Sequence, residues 1–364
     1  MLSSKKEATI KFPIKNKIHL AYSDNESELL PRDGRLKSLL GLDDHLYVED
    51  ILRDALINPV AELTSNPGKR VRGKLVELAY RLLRNEATSS LIVARRLKIG
   101  AEVLELIHAG SLIVDDIEDG SQTRRGRPAL HVSYGLPISL NAGNWLYFWP
   151  SELIKDLKLP GETTLAAYEY YHRALLRAHF GQAVDIGTRV DALTQDRVAE
   201  VCRASLTLKT GALMGFAVVL GGLIAGAGER TISRLEDFGR ELGVALQMFD
   251  DIGNVTGACE PSKRYEDFML YRPSWAWAWV AANSTAGDYA HFIGAVGKLP
   301  DAEELEEWIA KHGMVTKARS SASQHLEIAF SGLKTGLDSQ RVPWSQDAFE
   351  ELVALGEEIA HAYS

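Results

Sequence analysis

The stretch that most narrows what this chain can fold into runs from Ala101 to Gly135, AEVLELIHAGSLIVDDIEDGSQTRRGRPALHVSYG. Leu104, Ile107, Ser111, Ile113 and Val114 recur at roughly helical spacing, which predicts one long, mostly buried helix with its acids at the C-terminal end. Asp115 and Asp119 lie four residues apart on one face, beside Asp116 and Glu118. Like charges at this spacing cost a helix about a few tenths of a kcal/mol per pair, so a cation is called for. A hard divalent ion such as Mg2+ suits the place, because it takes one or two carboxylates, keeps waters and completes its shell with phosphate oxygens. Arg124 and Arg125 follow in a loop marked by Gly120, Gly126 and Pro128, and planar guanidinium binds phosphate in a two-pronged way. The plainer alternative is a solvated acidic helix end and a basic loop, joined by surface salt bridges worth little.

Two further stretches bear on that choice. Ser65 to Lys74, SNPGKRVRGK, brings Lys69, Arg70, Arg72 and Lys74 to the start of a helix over Leu75 to Leu83. Cations there oppose the helix dipole, a cost that a bound anion would relieve; a solvated basic turn is the alternative. Phe238 to Asn254 carries an apolar stripe of Leu242, Ala245, Leu246 and Phe249, with Gln247 and Asp251 four apart and Asp250 and Asn254 four apart. A second acidic helix end suggests facing helices that converge on one metal–phosphate centre. Lys209 and Thr210 stand at the mouth of the uncharged segment Thr210 to Gly228. That segment is nominally long enough for a bilayer, but its glycines and the adjoining lysine favour a buried helix and turn, with no membrane span. Lys209 either snorkels or meets a phosphate.

The remainder reads as helical scaffold. Helices are expected over Glu162 to Gly187, Asp196 to Gly211, Glu303 to Lys311 and Gln346 to Ala362, the last two separated by a polar loop containing Gly332, Gly336 and Pro343. With hardly a strand signal, the fold class is all-α. Residues 1–41 read as an N-terminal extension and residues 42–364 as a single helical domain. A formal charge of −8 over 364 residues argues against a general nucleic-acid binder, while leaving room for local basic patches. Cys202 and Cys259 form no disulfide framework and no signal peptide is evident, so a cytoplasmic location is expected.

Two carboxylate clusters, three groups of cations and long apolar helices suit a substrate with a diphosphate head and a hydrocarbon tail: cations neutralise the departing diphosphate while a dry tunnel shelters a carbocation. From about Asn66 to Arg272 the chain resembles the trans-isoprenyl diphosphate synthases, the polyprenyl synthetase family. The resemblance rests on GKRVR at Gly68, the first aspartate motif with its RRGRP, GQAVDI at Gly181, LKTGAL at Leu208 and LGVALQMFDDIGN at the second aspartate position.

That resemblance implies an all-helical bundle with a central apolar tunnel, two substrates (an allylic prenyl diphosphate and isopentenyl diphosphate), Mg2+ as cofactor and a homodimer. It implies that Asp115 and Asp119, helped by Asp116, bind Mg2+ on the allylic diphosphate, and that Asp250, with Asp251 nearby, holds a further ion from the opposite helix. Lys69, Arg72 and His108, with Arg70 adjacent, would form the isopentenyl diphosphate pocket; Arg124 would touch the allylic diphosphate and Arg125 the isopentenyl diphosphate. Lys209, Thr210 and Gln247 would lie along the allylic substrate, so that Asp115, Asp119, Lys209 and Asp250 carry the catalysis. The chain departs from its family at Asn254, where an aspartate is usual and an amide oxygen would ligate metal without a charge. It departs again at Arg272 and Ser274, which replace a lysine and a threonine, and at Asn144. These departures keep open a derived class I terpene cyclase, a prenyltransferase with another acceptor, and a non-catalytic regulatory subunit. The intact basic turn, His108 and Arg125 favour the synthase. Small Gly110 and Ser111 before the first aspartate leave the tunnel floor open, which favours a C20 or longer product unless Trp145, Tyr147, Phe148 or Trp149 closes it.

Overall fold

Apolar residues at three- and four-residue spacing dominate the chain and wind it into helices that each bury one stripe. The computed structural model describes residues 30–31, 33–41, 46–66, 68–84, 90–258 and 261–362. Most of the expected N-terminal extension and Cys259 lie outside them. The first half contains α1 (Asp33–Leu40), α2 (Leu46–Leu52), α3 (Asn58–Thr64), α4 (Val71–Leu83), α5 (Leu91–Glu118), α6 (Leu130–Tyr134), α7 (Leu136–Trp145), α8 (Trp149–Ile154) and α9 (Gly161–Gly187). The second contains α10 (Gln195–Leu206), α11 (Ala212–Ile224), α12 (Glu229–Thr256), α13 (Glu266–Met269), α14 (Trp275–Asn283), α15 (Ala286–Val296), α16 (Glu303–His312), α17 (Met314–Ser339) and α18 (Gln346–Ala362). Among the described residues the only sheet is a two-residue antiparallel pair, β1 (Thr123–Arg124) with β2 (Arg127–Pro128). Its turn puts Arg125 and Gly126 at positive φ, the backbone that tight hairpins require.

Helix α11 is buried at every residue and packs against α4, α5, α9 and α12. A helix apolar on all sides must be enclosed, and glycine lets the enclosure close: a Cβ on Gly221 would stand 2.3 Å from the Val76 carbonyl oxygen of α4. With α10 and the π-helical turn Thr207–Gly211 it forms the one helix, among the described residues, long and apolar enough to cross a membrane, and most of its apolar window is buried in the bundle. The expected buried segment is thus found as the hub of the core.

The expected polar loop between the last helices is instead mostly helix. Met314, Ala318, Ala322, Leu326, Ala329, Leu333 and Leu337 are buried along α17, which packs on α12, and that burial outweighs the weak helix preference of Gly332 and Gly336. At the other end, Leu30 and Leu36 are buried and Arg35 binds Asp156 at 2.5 Å, so α1 is docked on the body.

Candidate active site

The acidic ends of α5 and α12 face one cavity of about 560 Å³, closed on its other sides by α9, the π-helical turn and the segment before α14. From α5, His108, Ser111, Asp115 and Asp119 line it along a single helical face; from α12 come Leu246, Gln247, Asp250 and Asn254. Leu206, Leu213 and Met214 add apolar side chains to its lining. The lining thus combines charged and apolar side chains.

Lys209 sits between the carboxylates. Its Nζ lies 3.0 Å from Asp185 Oδ2 and 3.7 Å from Asp115 Oδ1. Burial lowers its pKa, but Asp115 and Asp185 outweigh burial and keep it cationic. The π-helical turn that presents Lys209 fits closely onto α9, where a Cβ at Gly181 would be 2.4 Å from the Lys209 nitrogen. Burial pushes the Asp115 carboxyl up to about 6 despite Lys209. From the same turn, Thr210 Oγ1 donates to Gln247 Oε1 of α12 at 2.9 Å, and Gln247 Nε2 donates to Asp250 at 3.0 Å and Asp251 at 2.9 Å. One amide therefore orders both acids of the second motif.

Several expected residues also make contacts within the protein. Asp251 is buried, accepts the Trp275 N–H at 2.5 Å and is held above the ordinary carboxylate range by that burial, so it fastens α14 to α12. Asn254 binds backbone on the neighbouring segment: its Nδ2 donates to the Lys263 carbonyl at 2.9 Å and its Oδ1 accepts the Asp267 N–H at 3.4 Å. A carboxylate could not make the first of these bonds, which gives the departure at this position a structural reason. Asp116 is buried and gripped by Arg124, whose Nε lies 2.9 Å from Oδ1, and this pair ties the β1–β2 hairpin to α5. Arg70 turns from the cavity to Glu102 at 2.5 Å.

The basic turn is nevertheless assembled. Arg72 and His108 line the cavity, Arg125 reaches back to the Asn66 carbonyl at 2.5 Å, and Glu105 accepts the Gly73 N–H at 2.9 Å. Lys69 lies in the same turn. Burial, with Arg72, Arg125 and Arg124 near, holds His108 well below the ordinary imidazole range, so it is neutral at pH 7. Across the mouth, Arg272 Nη2 donates to Asp119 Oδ1 at 2.8 Å.

Sequence reasoning passed over Asp267 and His179. Asp267 lines the cavity beside Asp250 and Asp251, and burial raises its carboxyl; no periodic spacing links it to them. His179 meets the Tyr147 ring edge-on at 4.8 Å in the cavity wall, a pairing between α9 and the turn that follows α7, which one helix's pattern does not show. The two residues expected at the tunnel floor lie in different surroundings. Ser111 lines the cavity, but Gly110 faces α7, where a Cβ would stand 2.8 Å from Leu146 Cβ.

The polyprenyl synthetase family model matches residues 53–311. The geranylgeranyl diphosphate synthase of Sulfolobus acidocaldarius is 31% identical over 220 residues, covering 57% of this chain and 63% of that one. A short chain isoprenyl diphosphate synthase of Methanocaldococcus jannaschii is 29% identical over 225 residues, 62% of each chain. The chain thus spans less than two thirds of the length of these curated relatives. Among solved structures, geranylgeranyl pyrophosphate synthetase from Pyrococcus horikoshii superposes with a TM-score of 0.70 at 26% identity, covering 84% of this chain and 90% of that one. A decaprenyl diphosphate synthase from Rhodobacter capsulatus, at 23% identity and TM-score 0.68 over 91% of this chain and 99% of its own, shares the fold.

Proposed function

The chain belongs to the polyprenyl synthetase family, and from that premise we propose that it is a trans-prenyltransferase that joins an allylic prenyl diphosphate to isopentenyl diphosphate, giving a longer prenyl diphosphate of C20 or more. The observation that carries this reading is the one cavity lined by Asp115 and Asp119 from α5, Asp250 from α12, Arg72 and His108, together with the apolar side chains of Leu206, Leu213, Met214 and Leu246.

Among the described residues no three His, Cys, Asp or Glu side chains close around one point, so the protein alone does not build a cage for an ion. Separated hard carboxylates suit Mg2+, which takes few protein ligands and fills its octahedron with water and phosphate oxygens. Asp115, Asp119 and Asp250 would hold it, and once bound it would neutralise the leaving diphosphate. Lys209 adds a fixed positive charge beside Asp115, Arg72 offers a two-pronged guanidinium, and neutral His108 can donate an N–H to a diphosphate oxygen without adding charge. In the reaction the allylic C–O bond breaks with its electron pair leaving on diphosphate, the isopentenyl double bond attacks the allylic carbon, and a proton passes to the released diphosphate. Leu213, Met214 and Leu246 keep water from the cation.

The test is incubation with Mg2+ and each allylic diphosphate from C5 to C20, with and without isopentenyl diphosphate, followed by mass spectrometry of both phases. A longer prenyl diphosphate that requires isopentenyl diphosphate supports the proposal. Hydrocarbon or alcohol from the allylic substrate alone would replace it with a cyclase.

A pH dependence follows from Asp115. A carboxyl whose pKa is raised to about 6 keeps its proton to higher pH, and the proton must leave before the oxygen ligates metal. Affinity for Mn2+, as a probe ion, should fall up to about tenfold per pH unit below pH 6 and level off above it. A flat Mn2+ titration between pH 5 and pH 8 would contradict the role given to Asp115.

The same reading includes a homodimer, supported by Leu165, Leu176 and Phe180, which share an exposed face of α9 with Phe180 60% exposed. Phe180→Asp should shift the species in analytical ultracentrifugation from dimer to monomer; an unchanged sedimentation coefficient would remove this face from the interface. A cytoplasmic location is proposed with it, supported by the buried free thiol of Cys202.

A further inference from the structure

Asp119 is the C-cap of α5, where the partial negative charge of the helix end adds to that of the carboxylate, and a cation already answers it. Arg272 Nη2 donates to Asp119 Oδ1 at 2.8 Å while its Nη1 donates to the Asp185 carbonyl at the end of α9 at 3.1 Å. The guanidinium is delivered by a held segment. Tyr271, at φ 54°, accepts the Val190 N–H at 3.0 Å through its carbonyl, lies under Arg189 at 4.4 Å and stacks on Trp277; Trp275 donates to Asp251. The residues that follow α13 therefore touch both aspartate motifs at once, Asp119 through a side chain and Asp251 through a backbone N–H. A lysine at position 272 has one ammonium and could not grip Asp119 and the Asp185 carbonyl in this forked way.

We infer that Arg272 is the resident counter-ion of Asp119 and competes with the divalent metal for that carboxylate. A metal ion that takes Asp119 must lift the guanidinium away, and the freed fork, still lining the cavity, turns to diphosphate oxygens. Metal and diphosphate then enter together more favourably than metal alone, because only a diphosphate gives the displaced arginine a new partner. This inference rests on the metal-binding role of Asp119 in the proposed function.

The test is a titration of substrate-free protein with Mn2+, following the free-ion signal by electron paramagnetic resonance, on wild type, R272Q, R272K, D119N and the D119N/R272Q double variant. R272Q should bind Mn2+ about fivefold more tightly than wild type, the size expected for releasing one partly exposed ion pair. R272K, which keeps a cation but loses the second grip, should tighten binding by a smaller factor and repeats the test if R272Q does not fold. In the D119N background the R272Q gain should vanish. Equal or weaker Mn2+ binding in both Arg272 variants would overturn the inference alone, whereas no Mn2+ binding by any variant would overturn it together with the metal-binding reading of the cavity.

Discussion

Asp115→Asn is expected to lower kcat for prenyl condensation by about a thousandfold or more, the scale associated with losing charge stabilisation at a leaving group, while making the metal-free protein more stable. The two effects share one cause. Asp115 is a mostly buried carboxyl facing the cavity, and burial lifts it to about 6 even with Lys209 3.7 Å away. A folded-state value above the unfolded one means that the folded protein binds the proton more tightly. Stability therefore falls as pH rises from about 4 to about 6 and stays reduced above that. An amide of the same shape removes the cost, and Lys209 keeps Asp185 at 3.0 Å. The gain at pH 8 should be roughly 1–3 kcal/mol in EDTA and should shrink toward pH 4. Thermal unfolding of wild type and variant at the two pH values checks the sign. A variant that is inactive and also less stable at pH 8 would show that Asp115 is a structural acid.

The parts of the molecule legible in the sequence are those in which one helix carries its own message. The apolar run before Asp115 and the stripe before Asp250 each specify a helix, its buried face and its acidic end without reference to any other segment. The uncharged run through α11 likewise has no solution except enclosure. The illegible parts depend on partners from elsewhere. Nothing around Asn254 announces that its amide closes the backbone at Lys263 and Asp267. Arg70 and Arg72 look alike in the sequence, yet Glu102 draws Arg70 away while Arg72 lines the cavity. The loop expected around Gly332 and Gly336 failed for the same reason, since packing on α12 decides a helix that local propensity leaves open.

Ser111→Phe and Gly110→Phe, adjacent residues that the sequence assigns to one floor, are expected to differ in kind. Ser111 lines the cavity, so a phenyl ring there fills apolar space that the growing chain would occupy. The variant should stay folded, retain its activity toward short allylic substrates and give products shortened from C20 toward C15 or C10. Gly110 faces away, with Leu146 Cβ 2.8 Å and the Gly143 carbonyl oxygen 3.0 Å from where its Cβ would lie. Even alanine presses on α7 there, and phenylalanine must part α5 from α7 in a region that is otherwise close-packed. Overpacking of this sort costs about 1–3 kcal/mol and sometimes more, with no direct reach into the tunnel. Product distributions by liquid chromatography–mass spectrometry, paired with thermal unfolding, separate the two outcomes. If Gly110→Phe shortened the product at unchanged stability, α7 would have to yield and form part of the tunnel wall. If Ser111→Phe left chain length unchanged, the tail would leave the cavity by another side, and the Tyr147–His179 pair would be the next wall to alter.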